Sequence, residues 1–109
     1  MSKRVLLDEN LPHKLRPLLT GHTVVTAAYQ GWAGKKNGEL IRLAEEDSFD
    51  VMVTADHGLH YQQNPKGRKL ALLVLSTNRE RVVLANPERI LAAIDAATVG
   101  SFTRVDIGQ

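Results

Sequence analysis

The sequence predicts an α/β fold: a three-layer α/β/α sandwich around a mostly parallel central sheet. Two observations carry this. Short apolar or β-branched runs alternate along the chain with segments whose apolar residues recur at helical spacing, the order that builds parallel sheets. The runs VMV at 51–53 and LALLVL at 70–75 are apolar at every position, as strands covered on both faces must be. A length of 109 residues suffices for one core, so a single domain is expected over 1–109.

Val5–Leu7 reads as a short buried strand. Asn10 then serves as cap for a first helix, with Pro12 in its first turn and Leu11, Leu15, Leu18 and Leu19 at helical spacing. Pro17 keeps that helix short. HTVVT at 22–26 is a second strand. AAYQGWAGKKNG, at 27–38, reads as a loop anchored by Trp32. Asn37 opens a second helix whose apolar face holds Leu40, Ile41, Leu43 and Ala44. FDVMVT at 49–54 and LALLVLS at 70–76 follow as strands. Pro87 begins a last helix with Ile90, Leu91, Ala93 and Ile94 inward, and SFTRVDI at 101–107 closes as a fifth strand. The tail after Asp106 is expected to fray.

Aromatic residues make up only 5% of the chain, so Leu, Val, Ile and Ala must form the core. Cysteine is absent, which excludes disulfides and zinc–thiolate sites and fits a reducing compartment. The apolar run in MSKRVLLDEN is too short for a signal peptide, and LALLVL is far too short to cross a bilayer. The chain therefore reads as cytoplasmic, with no membrane partner. A net charge of +2 permits nucleic-acid binding without demanding it. Lys35, Lys36, Lys66, Arg68, Lys69, Arg79 and Arg81 fall in predicted connections, where they serve solubility or phosphate contact alike.

Residues just after parallel strands gather along one edge of the sheet, where ligands bind. Asp8 and Glu9 follow the first strand, Thr54-Ala55-Asp56 the third and Ser76-Thr77-Asn78 the fourth. Glu39 starts the second helix at the same edge. Asp8, Glu39 and Asp56 are thus expected to converge. Each has a plainer reading: Asp8 capping a turn, Glu39 complementing a helix dipole, Asp56 starting a helix. Yet two carboxylates about 4 Å apart repel by roughly 4 kcal/mol at an effective dielectric of about 20. A cap or dipole returns only about 1 kcal/mol. Such a cluster needs raised pKa values or a cation, and oxygen ligands without thiolate select Mg²⁺ or Mn²⁺. His13 and His22 read as structural or solvent-facing. His57 and His60 are candidates for touching a phosphate or moving a proton, and Tyr61 for packing before base stacking.

LLDENLP at 6–12, GHTVVT at 21–26, GWAGKKNGEL at 31–40, FDVMVTAD at 49–56, YQQN at 61–64 and STNR at 76–79 together resemble a branch of the PIN-like nuclease superfamily, small bacterial proteins related to VapC-type toxins. The resemblance runs from Val5 to about Ala97. It implies a PIN-like α/β/α fold, an acidic Mg²⁺/Mn²⁺ site and metal-dependent cleavage of RNA. The family acids fall on Asp8, Glu39 and Asp56. Many relatives carry a further acid two residues beyond the T-x-D aspartate. Gly58 stands there in this chain, so a fourth ligand is missing or comes from Glu9 or Asn78. Relatives are often encoded beside a small antitoxin-like partner.

The resulting expectation is a metal-dependent endoribonuclease, the toxin of a toxin–antitoxin pair. Asp8 and Asp56 would bind the metal, and Glu39 would bind it or orient the attacking water. Glu9, Asn10, Thr54, His57 and Asn78 would complete the site, while Lys35, Lys36, Arg79 and Arg81 would hold RNA phosphates. The expected partners are RNA, a small antitoxin and a second copy forming a homodimer. A degenerate module that binds RNA or a protein without turnover stays open, with Gly58 as its support. So does a phosphoacceptor receiver centred on Asp56, although SFTRVDIGQ offers no Lys where a receiver needs one.

Overall fold

Alternation along the strands builds the layers. In the computed structural model, which describes residues 2–58 and 69–108, five strands form: β1 (Arg4–Leu7), β2 (Thr23–Thr26), β3 (Val51–Thr54), β4 (Ala71–Leu75) and β5 (Phe102–Val105). Their order is β2-β1-β3-β4-β5, and all four pairings are parallel. Successive side chains point to opposite faces. Val5, Leu7, Val51, Val53, Leu73 and Leu75 therefore share one face and Leu6, Met52, Leu72 and Val74 the other.

A 3-10 helix (His13–Leu18), α2 (Glu80–Ala85) and α3 (Pro87–Ala96) cover the first face through Leu15, Val83, Ile90 and Ile94. The second face lies against α1 (Asn37–Glu46) through Leu40, Ile41 and Ala44. Helices on both faces make the three layers that near-continuous apolar strands require. Trp32 half-buries against Phe49, ring centroids 6.0 Å apart and edge to face, and so anchors its loop as expected.

Three expectations need correction. The first helix is a 3-10 turn whose N-cap is Pro12, and Asn10 does not cap it; Pro17 within it has no N–H for an α-helical bond. A helix over 80–85 was not expected, because ERVVLA carries two β-branched residues in one short turn. Nor does the tail fray at Asp106: Ile107 is buried, its N–H donating to Ser76 Oγ at 3.1 Å. The positions His60, Tyr61, Lys66 and Arg68, and with them the YQQN segment, lie outside the described residues.

The end of the sheet away from the strand C-termini is tied by Lys3. Its ammonium donates to the carbonyls of Ile94 (2.6 Å), Asp95 (3.1 Å) and Ala97 (3.0 Å), closing the C-terminus of α3, where carbonyls lack helical partners and the dipole favours a cation. The Lys3 backbone N–H donates to His22 Nδ1 at 3.0 Å. That fixes Nδ1 as acceptor, so Nε2 carries the proton that meets Asp95 Oδ1 at 2.8 Å. His22 is structural. Replacing Lys3 by Met should cost about 1–2 kcal/mol in urea unfolding, because three carbonyls lose a charged donor. A loss within error of zero would show that the cap contributes nothing.

Candidate functional site

The candidate site grows from the pairing of β1 with β3. Leu7 sits opposite Val53, and the ladder runs one step past the strand, with Asp8 N–H donating to Val53 carbonyl at 2.9 Å. This carries the Asp8 carboxylate beside Thr54, the last residue of β3. Thr54 is wholly buried and its hydroxyl donates to Asp8 Oδ2 at 2.7 Å. Thr54 Oγ1 in turn accepts the Asp56 N–H at 3.1 Å and the Asn10 side-chain amide at 3.5 Å. One hydroxyl thus gathers Asp8, Asn10 and Asp56.

Asp8 is only 8% exposed, although it carries a carboxylate. Its Oδ1 accepts the Glu9 N–H at 2.8 Å, and no Lys or Arg among the described residues pairs with it. Burial pushes its pKa above the ordinary 3.8. Hydrogen bonds from Thr54 and the Glu9 amide oppose that shift, while the charges of Glu9 and Asp56 add to it. Asn10 Oδ1 is buried without a hydrogen-bond partner. The Asp56 carboxylate accepts the Gly58 N–H at 2.9 Å, forming a tight turn. A Cβ at position 58 would meet Asp56 Oδ1 at 3.3 Å, so an acid there would crowd the aspartate.

The other expected residues are placed differently. Glu39, in the first turn of α1, pairs with Lys35 (3.8 Å) and Arg42 (3.9 Å) and is not drawn into the group around Thr54. The two cations, four residues before it and three after, attract the Glu39 carboxylate, whereas the carboxylates near Thr54 would repel it. Among the described residues no three His, Cys, Asp or Glu side chains are grouped so as to hold a metal ion. Glu9 is exposed, its Oε1 accepting the Gly34 N–H at 2.7 Å. Gly34 has φ +84°, a backbone that a side chain would strain. His57 bonds through Nε2 to the Leu75 carbonyl at 2.9 Å, leaving Nδ1 as its acceptor. Asn78, Arg79 and Arg81 are exposed at and beyond the end of β4, and Lys35 and Lys36 are exposed before α1.

Of the residues gathered at Thr54, Asp8 and Asp56 carry carboxylates and Asn10 an unpartnered side-chain oxygen. These are the oxygen donors that a Mg²⁺ ion, which needs only one or two carboxylates, could use. Sequence reasoning missed that the Thr54 hydroxyl organises the group; its place between the strand VMV and the Asp56 turn was the available signal. Compared with protein-family models, curated proteins and solved structures, the chain matches none.

A raised carboxyl pKa in the folded state means that folding favours the protonated acid. The stabilising contribution is full below the ordinary 3.8 and is lost as pH rises through the raised folded value. Asp8→Asn removes that loss. Its Tm at neutral pH should equal or exceed the wild-type value, and its Tm should change less with pH across the acid range. A variant clearly less stable than wild type at neutral pH would show that the carboxylate is held by compensation not seen here.

Proposed function

We propose that this protein is a metal-dependent ribonuclease of PIN-like type, acting as the toxin of a toxin–antitoxin pair. The observation that carries the reading is the buried Asp8 carboxylate, joined through Thr54 to Asp56 and to Asn10 with its unpartnered oxygen. Its pKa is raised by burial and further by the Asp56 charge, a grouping that a divalent cation would neutralise. Asp8 and Asp56 would hold Mg²⁺ or Mn²⁺. When bound, such an ion lowers the pKa of a water and neutralises a phosphodiester.

The chain's own groups then have defined tasks. Thr54 locks the Asp8 rotamer, and Gly58 N–H orients Asp56. His57 Nδ1 is available to take a proton, because Nε2 is committed to Leu75. Arg79 and Arg81, exposed after β4, and Lys35 and Lys36, exposed before α1, bind the RNA backbone. Glu39 stays with Lys35 and Arg42, outside the metal set.

A second reading, a module that binds RNA or a protein without cutting, draws on Gly58 and on the lack of a three-acid group among the described residues. The receiver reading gains from the strand order, which receivers share. It loses because β5 is followed by Asp106, not Lys.

Calorimetric titration with Mn²⁺ separates these. Wild type and Glu39→Gln should bind alike, while Asp8→Asn and Asp56→Asn should each lose about tenfold or more in affinity. RNA cleavage should require Mn²⁺ or Mg²⁺ and vanish in Asp8→Asn. Binding without cleavage favours the second reading. Equal cutting by Asp8→Asn would assign the activity elsewhere.

A further inference from the structure

The lateral edge of the sheet at β2 plays no part in the proposed activity. Among the described residues β2 pairs only with β1. Thr23 N–H donates to Lys3 and Ala27 N–H to Leu7, so residues 23, 25 and 27 face β1. Alternation then turns the backbone of Val24 and Thr26 outward. The Thr26 carbonyl takes Gln30 N–H, which leaves the Val24 N–H, the Val24 C=O and the Thr26 N–H as an outward row of donor, acceptor and donor. Exposed edges are usually blunted by Lys, Pro, a bulge or a covering helix or loop. Thr-Val-Val-Thr has neither Lys nor Pro, and although Val24 is buried with the core beneath the 3-10 helix, it still borders open space along this edge.

A groove of about 640 Å³ runs beside this row, between the 3-10 helix and the turn at Tyr29. Val24, Val25 and Pro17 give it apolar walls, and Tyr29 stands 84% exposed beside them. The charged residues lining it are Lys14 and Arg16, joined by His13, with no carboxylate among the lining side chains. Amides and carbonyls in strand spacing match another peptide backbone; a phosphodiester backbone offers acceptors alone. The cations set the sign of the partner.

We infer that the β2 edge receives an extended acidic peptide from a partner protein, added as a further parallel or antiparallel strand beside β2. Its backbone meets Val24 and Thr26, its carboxylates meet Lys14 and Arg16, and an apolar side chain enters the groove. The inference does not rest on the nuclease reading, since it uses none of the residues around Thr54.

A fluorescent peptide alternating Glu and Val, and its Lys/Val counterpart, test this by anisotropy with the full chain. The acidic peptide should bind about tenfold tighter than the basic one, and Lys14→Glu with Arg16→Glu should erase that preference. Both substituted side chains are exposed, so the variant keeps its fold. Amide hydrogen exchange should slow at Val24 and Thr26 on adding the acidic peptide. Absence of binding, equal binding of both peptides, or protection confined to other amides overturns the inference. Protection of Val24 and Thr26 that grows with protein concentration alone also overturns it, and gives the edge to a second copy of the chain.

Discussion

The adjacency of β1 and β3 at the centre of the sheet is the constraint on which the rest depends. It is the point where the strand order reverses direction, and in doubly wound sheets the crevice at such a reversal is where ligands bind. Register decides the chemistry. With Leu7 opposite Val53, the first residue past β1 falls beside the last residue of β3, and Asp8 meets Thr54. A slip of one residue would turn Leu7 and Val53 to the wrong faces and separate the carboxylate from the hydroxyl.

The acids near this edge are held in contrasting ways. Glu39 and Glu9 are exposed and stabilised cheaply, one by neighbouring cations and the other by a loop amide. Asp8 is buried and has only hydrogen bonds, so its charged form is disfavoured. The far end of the sheet shows the opposite arrangement: the Lys3 ammonium is matched to three carbonyls, and the His22 ring has both nitrogens engaged. Satisfied polar groups fasten β1 to the end of α3, while beside Thr54 the Asn10 side-chain oxygen is left buried without a partner. That distribution is common where function requires a locally destabilised site.

Much of the architecture was legible in the sequence. All five strands, α1 from Asn37 and α3 from Pro87 follow from apolar runs, helical spacing and the placement of proline. The helix over 80–85 was not legible, because its stability comes from Val83 packing in the core and not from propensity. The burial of Ile107 was missed for a similar reason: it is held by Ser76, a partner far away in sequence.

The sequence by itself determined which residues lie at the carboxyl edge of the sheet, since strand ends and alternation are local properties read from neighbouring positions. Only the tertiary structure decided which of those residues act together. Three acids shared the edge, yet the buried Thr54 hydroxyl drew in Asp8 and Asp56, while Lys35 and Arg42 held Glu39 away. The Lys35 and Arg42 pairs of Glu39 are helix-spaced and local. The meeting of Asp8 with Thr54 depends on burial and on two segments 46 residues apart, which no local pattern encodes.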